Sequence, residues 1–142
     1  MNSYLIALGS NMGDRAHYIS SAKRLLSALP CEIVAEASNY ETNPIGAADQ
    51  KFINTALICK SQLAPAELLS HLLQIELHLG RERLVHWGNR TIDLDIILAL
   101  DAQGKLISIN TEALTIPHPR AKERDFVLKP CTEIAPEWIQ HL

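Results

Sequence analysis

Trp87-Gly88-Asn89-Arg90-Thr91-Ile92-Asp93-Leu94-Asp95-Ile96-Ile97-Leu98-Ala99 is the stretch that decides how this chain folds and where its chemistry lies. A Gly-Asn turn leads into an apolar, β-prone run carrying two aspartates two residues apart. Side chains on a strand alternate faces, so Asp93 and Asp95 are expected to point the same way, their Cα atoms roughly 6.5–7 Å apart. The same alternation places Ile92, Leu94, Ile96 and Leu98 on the opposite face, with Ile97 and Ala99 following the aspartates. A strand apolar on both faces with a charged mouth reads as central in its sheet. Two carboxylates on one face repel each other and are disfavoured without a cation. Oxygen donors at this spacing suit hard divalent ions such as Mg²⁺, and through them phosphate chemistry. Arg81, Arg83 and Arg90 stand just ahead and could hold an anion such as a phosphate chain. The bland alternatives are a solvated strand end and ordinary surface arginines.

The rest of the chain sets limits on this reading. Its 142 residues suffice for one domain with a real core, and 47% hydrophobic and 20% charged residues are the composition of a folded protein. A net charge of −3 gives no general attraction to nucleic acid or to an anionic membrane. The first residues, Met1-Asn2-Ser3-Tyr4, lack a basic region and a long apolar stretch, and no apolar run is long enough to span a bilayer. Cys31, Cys59 and Cys131 are odd in number and have no CxxC spacing, which points to reduced thiols in a cytoplasmic protein.

Working outward, Tyr4 to Leu8 reads as a short strand that stops at Gly9-Ser10-Asn11-Met12-Gly13. A helix capped by Asp14 or Asn11 follows, with Tyr18, Ile19, Ala22, Leu25, Leu26 and Leu29 at helical spacing, and Pro30 ends it. Glu32 to Thr42 is compatible with a strand, and 43–50 is a loop by its Pro, Gly and Asn/Asp content. Phe52 to Lys60 is a strand. Pro65 opens a long helix that Gly80 closes. Thr91 to Leu100 is the aspartate strand, and a Gln103-Gly104 turn with Leu106 to Ile109 makes a hairpin. A short helix near Phe126 to Leu128 packs on at the end. This β-α-β-β-α-β order predicts a ferredoxin-like α+β domain, mainly antiparallel, with an added hairpin and C-terminal helix.

Other features carry less. Gly9 to Gly13 lacks both GxGxxG and Gly-Lys-Ser/Thr, so a tight turn is the better reading than a phosphate loop. His71 and His78 are two turns apart on one helix, roughly 10 Å, too far to share a metal. His118 lies between Pro117 and Pro119, whose fixed φ angles display it rigidly. It is either a ligand contact or an idle loop residue. Phe52 and Phe126 are core by default, although Phe52 begins a strand after a loop and could line a pocket.

The stretch 87–97 resembles the signature of the 6-hydroxymethyl-7,8-dihydropterin pyrophosphokinase family of folate biosynthesis. Further matches follow in order: Ala7 to Asp14, Tyr40 to Gly46, Phe52 to Ala56, Ile75 to Arg81, Ile116 to Arg120, Arg124 to Leu128 and Glu133 to Pro136. They run over almost the whole chain and imply a single pyrophosphokinase domain over 1–142. The resemblance implies transfer of pyrophosphate from ATP to the pterin hydroxymethyl group, with release of AMP. By position, Asp93 and Asp95 would hold two Mg²⁺ ions, Asp93 also bordering the pterin. Arg81, Arg83, Trp87 and Arg90 would serve catalysis, Arg83 and Trp87 from a mobile loop. Arg81 and Arg90 would also contact ATP, together with Glu76, Ile96, Thr115, His118 and Arg124. Thr42, Pro44, Ile45, Phe52, Asn54 and Phe126 would form the pterin pocket. A cytoplasmic monomer that binds neither nucleic acid nor membrane is the expectation.

The chain departs from the family's pattern at several positions. Asn89 replaces a proline or small residue, Leu73 a glutamine found in some members, and Ala113 an arginine found in others. Lys129-Pro130-Cys131 differs from the common Pro-Leu. Two competing readings are a divergent, non-catalytic pterin- or nucleotide-binding module and an RNA-binding ferredoxin-like domain. The acidic balance speaks against the second.

Overall fold

The structure is a computed structural model that describes residues 1–42, 50–80 and 91–142. Strand β1 (Asn2–Ser10) leads into helix α1 (Arg15–Ser27), then β2 (Cys31–Glu36), β3 (Tyr40–Thr42) and β4 (Phe52–Ser61). Helix α2 (Pro65–His78), strand β5 (Asp93–Leu100), the short strands β6 (Ile109–Asn110) and β7 (Thr115–Ile116), and helix α3 (Asp125–Ile134) complete the order. The main sheet runs β2-β4-β1-β5, with β3 also paired to β4 and every pairing antiparallel. The ferredoxin-like core expected from the element order is therefore present.

Local chemistry accounts for the helices. Asp14 accepts a bond from the His17 amide at 3.1 Å and so caps α1, and Gly13 adopts φ +58° in the turn before it. Pro65 sits in the first turn of α2, Glu67 takes the Ala64 amide at 3.0 Å, and Gly80 at φ +85° lies just past the C-cap. Both helices pack on one face of the sheet. Ile19, Ala22, Leu26, Leu68 and Leu72 meet Tyr4, Ile6, Leu57 and Cys59 there. Truncating a fully buried leucine such as Leu72 to alanine removes about 2–5 kcal/mol.

Three expectations need correction. The first concerns β3, since the single stretch Glu32 to Thr42 is broken into two strands. At the break the Ala37 amide donates to Ala56 O at 2.9 Å and its carbonyl accepts from Thr55 Oγ1 at 3.0 Å. The Ser38 amide turns away to Glu133, 3.1 Å from each carboxylate oxygen.

The second concerns β5, which is an edge strand of the sheet among the described residues. It is apolar on both faces because α1 and α2 cover one and α3 covers the other, and its outer edge is covered as well. Leu100 bridges Leu106, the Ile107 amide donates to Ala99 O at 2.9 Å, and the His118 amide donates to Ile97 O at 2.8 Å. Strict alternation also fails within it. Leu5 pairs with Leu98 and Ile6 with Ile96, which leaves Ile97 as an extra residue in a β-bulge. Beyond the bulge the faces exchange: Ile97 and Leu98 join Leu5 and Ala7, while Ala99 joins Tyr4 and Ile6. The expected hairpin closes at Gly104, φ +79°, but its return strand is reduced to the one bridge at Leu106.

The third concerns α3, which extends well beyond Leu128 and runs through Pro130 to Ile134. Proline there removes the amide that would bond to Phe126 O. Burial of Val127, Pro130 and Cys131 against the sheet offsets the loss. This helix and the 3₁₀ turn at Pro136–His141 cover the face opposite α1 and α2, over Leu5, Ala56, Ile58 and Leu98. Cys31, Cys59 and Cys131 are free thiols. Burial is the main cause that pushes both Cys59 and Cys131 up to about 12, so neither is a reactive thiolate at neutral pH.

Glu133 ties α3 to the β2–β3 break. Besides the Ser38 amide it accepts from Ser38 Oγ at 3.2 Å and from the Tyr40 hydroxyl at 2.6 Å. The Tyr40 bond, followed by the Ser38 amide, holds the Glu133 carboxyl below its ordinary range, while the same bond raises the Tyr40 hydroxyl. A depressed folded-state pKa contributes stability above the unfolded carboxyl pKa and loses it as pH falls through the folded value. Glu133→Gln is therefore expected to melt below the wild type at neutral pH, with the gap closing in acid. Melting curves across the carboxylate range check this; a gap that does not change with pH contradicts it.

Candidate active site

The register of the sheet builds the floor of a cleft. Gly9 on β1 pairs with Asn54 on β4 and with Asp93 on β5; one step along, Ala7 pairs with Ala56 and Asp95. Directly opposed residues share a face, so Asn54, Gly9 and Asp93 form a row across three strands. Strands lie about 4.8 Å apart, which sets Asn54 and Asp93 roughly 10 Å from each other. Only the hydrogen of Gly9 stands between them. A methyl group there would come within 2.8 Å of Asn54 Oδ1.

Walls rise from the same face. Phe52 is two residues before Asn54 on β4, and Phe126, in the first turn of α3, faces the sheet from above. With Thr42, Asn54, Asp93, Asp95 and Arg124 they line a cleft of about 600 Å³. The Arg124 guanidinium lies 5.7 Å from the Phe126 ring centroid. Such a cation–π contact orients the ring. Asn54 is buried, and its Nδ2 donates to Thr42 Oγ1 at 2.9 Å. That bond fixes the amide with Oδ1 turned over Gly9 as an acceptor.

A second cleft of about 580 Å³ opens at the β5 edge, between α2 and the 112–119 segment. Leu69, Ile96, Thr115, His118 and Glu112 line it, and so does Asp95. The two clefts thus share one carboxylate. The His118 Nδ1 accepts from the Arg120 amide at 3.3 Å, which leaves Nε2 to carry the proton of the neutral ring. Burial, then the Arg124 charge, lowers the His118 pKa; Asp93 pulls the other way and Arg120 adds to the lowering. A neutral histidine with a defined N–H is a hydrogen-bond donor to a ligand acceptor.

The structure thus brings together Thr42, Phe52, Asn54, Asp93, Asp95, Ile96, Thr115, His118, Arg124 and Phe126 around two adjoining clefts. Glu76 lines neither of them. It is buried on α2, and its Oε2 accepts from the Leu94 amide at 2.8 Å, which anchors β5 between the two aspartates. Arg81, Arg83, Trp87, Arg90, Pro44 and Ile45 lie outside the described residues, as does Asn89. Of the other departures, Leu73 is exposed on α2 and Ala113 lines the second cleft. Sequence reasoning missed Gly9 and Ala7, because β1 was expected to stop at Leu8. The available signal was the smallness of alternate residues, Ala7 and Gly9, at the end of an otherwise bulky apolar strand.

An antiparallel α+β domain in which two adjoining clefts share a carboxylate, Asp95, offers places for two ligands side by side. A family model for 7,8-dihydro-6-hydroxymethylpterin-pyrophosphokinase matches residues 5–136, and the chain belongs to that family. The 2-amino-4-hydroxy-6-hydroxymethyldihydropteridine pyrophosphokinase of Bacillus subtilis is 48% identical over 135 residues, 94% of this chain and 78% of the relative. Its namesake from Methylorubrum extorquens is 40% identical over 141 residues, 98% and 86% of the two chains. The bifunctional protein FolKE of Lactococcus lactis is 44% identical over 136 residues; the match takes in 94% of this chain but only 38% of that longer protein.

Gly9→Ala tests the floor of the first cleft. The variant is expected to fold with a stability loss of about 1–3 kcal/mol, and to shift the Asn54 side-chain amide resonances strongly. Unmoved Asn54 resonances would contradict the close approach at Gly9.

Proposed function

We propose that the protein transfers pyrophosphate from ATP to the hydroxymethyl group of 6-hydroxymethyl-7,8-dihydropterin, giving AMP and the pterin diphosphate. The observation that supports this most is the sharing of Asp95 by two clefts, because transfer needs a donor and an acceptor to meet at one charged point. The pterin ring takes the first cleft. Its flat, π-rich body lies between Phe52 and Phe126, and Asn54 Oδ1 accepts a hydrogen bond from the N–H-bearing edge of the ring. In this pose the hydroxymethyl arm points toward Asp93 and Asp95.

ATP takes the second cleft. The His118 Nε2–H donates to a nucleotide acceptor, while Ile96 and Thr115 border the nucleotide, and Arg124 supplies positive charge where the clefts adjoin. The alcohol oxygen attacks the β-phosphorus and AMP leaves. Roles for Arg81, Arg83, Trp87 and Arg90 at the triphosphate, and for Pro44 and Ile45 at the pterin, rest on the resemblance of their sequence blocks. Positioning of this kind converts a bimolecular encounter into a directed displacement.

The donor chemistry suits magnesium. Among the described residues no group of three or more His, Cys, Asp or Glu side chains could hold a metal. A pair of carboxylates completed by substrate phosphates and water is how Mg²⁺ is commonly held in phosphoryl-transfer sites. Two Mg²⁺ ions bound with ATP would neutralise the triphosphate and polarise the reacting phosphorus. Asp93 and Asp95 would be the protein ligands, and Glu76 keeps them in place through the Leu94 amide.

No helix among the described residues is long and apolar enough to cross a membrane. The proposal includes a cytoplasmic monomer whose partners are ATP and the pterin. Incubation with ATP, Mg²⁺ and 6-hydroxymethyl-7,8-dihydropterin should yield AMP. Asp95→Ala should lower the rate at least a hundredfold, on the scale of losing one transition-state electrostatic contact. Wild-type AMP formation no faster than the variant's would reject the reading and leave a binding module.

A further inference from the structure

Arg15 is the first residue of α1, held in place by the Asp14 cap and separated from Gly9 by a short turn. Its Nη1 donates to Lys51 O at 2.7 Å, and its Nη2 reaches Glu41 Oε1 at 3.3 Å. From the turn before α1, Asn11 Nδ2 donates to the neighbouring carbonyl, Gln50 O, at 3.3 Å. Glu41 belongs to β3 and Lys51 immediately precedes β4. These two residues adjoin Thr42 and Phe52, which pair with each other and line the first cleft. Thr42 in turn sets the Asn54 amide.

We propose that Arg15 is a positioning residue for the pterin half of the site. It joins the end of β3 to the start of β4 on the side of the sheet away from the cleft, and so sets the distance and tilt of Thr42, Phe52 and Asn54. It touches no substrate. A guanidinium suits the task because its planar fork can bond a carbonyl and a carboxylate at once, whereas an ammonium is a single point charge. The side chain is largely covered, 22% exposed against 56% for Glu41, so its geometry is more constrained than that of an ordinary surface pair. Without it, β3 keeps its ladder to β4 but loses the outer brace, and Thr42 no longer holds Asn54 in one orientation. Loss is confined to the first cleft, because the second is built from α2, β5 and the 112–119 segment, and the groups that Arg15 bonds, Lys51 O and Glu41, belong to none of them.

The inference rests on the first cleft being the pterin site, and binding measurements separate the two claims. Equilibrium titrations with 6-hydroxymethyl-7,8-dihydropterin and with a non-hydrolysable ATP analogue plus Mg²⁺ would be made on wild type, Arg15→Ala, Arg15→Lys and Glu41→Gln. Arg15→Ala is expected to bind the pterin about tenfold more weakly, with the ATP-analogue Kd within twofold and the thermal midpoint little changed. Arg15→Lys and Glu41→Gln should fall between, at about threefold. Unchanged pterin affinity in Arg15→Ala, or equal weakening of both ligands together with a lowered midpoint in all three variants, would overturn the positioning role. Wild type that binds no pterin would instead overturn the assignment of the cleft.

Discussion

The register that sets Gly9 between Asn54 and Asp93 is the constraint from which the rest of the site follows. Moving either neighbour of β1 by one residue would turn its side chains to the other face and dissolve the row. Two buried faces hold that register. Tyr4, Ile6 and Leu8 face α1 and α2, and Leu5 and Ala7 face α3, so a slip would misplace both sets at once. The cleft is therefore a by-product of core packing, opened where the central strand narrows to Ala7 and Gly9.

The bulge at Ile97 is the second device. Upstream of it β5 keeps Asp93 and Asp95 on the α3 side, and downstream the exchanged faces let Leu98 seal the core beneath that helix. Among the backbone bonds made at the bulge, the Ile97 carbonyl takes the His118 amide. That bond draws the 112–119 segment against the edge of β5, so the irregularity that ends the carboxylate face also brings His118 beside Asp95. Glu76 acts from the other side through the Leu94 amide. An anchored backbone between two like charges keeps both carboxylates close without requiring them to relax apart.

Much of this was legible in the residues. Element order gave the ferredoxin-like core, and the spacing of Asp93 and Asp95 gave their common face, because both depend on periodicities of the local backbone. The edge position of β5 was not legible, since burial of an edge by a distant segment looks the same in sequence as burial by neighbouring strands. Neither was the bulge, because Ile96-Ile97-Leu98-Ala99 is apolar throughout and offers no polar mark to reveal a change of face. Helix α3 hid behind Pro130, where tertiary packing overrides propensity. The pairing of Phe52 with Phe126 came from the resemblance rather than from pattern; 74 positions separate them in the chain, and only the fold brings them to one cleft.

The central proposal is that both clefts open on Asp95, which with Asp93 would hold the metal. Paramagnetic relaxation tests it directly, with Mn²⁺ replacing Mg²⁺ in the presence of a non-hydrolysable ATP analogue. Backbone amide signals should broaden most at Asp93 to Ile96, and next at Gly9 in the first cleft and at Thr115 and His118 in the second. Broadening centred elsewhere on the chain, or confined to one cleft, would contradict the account.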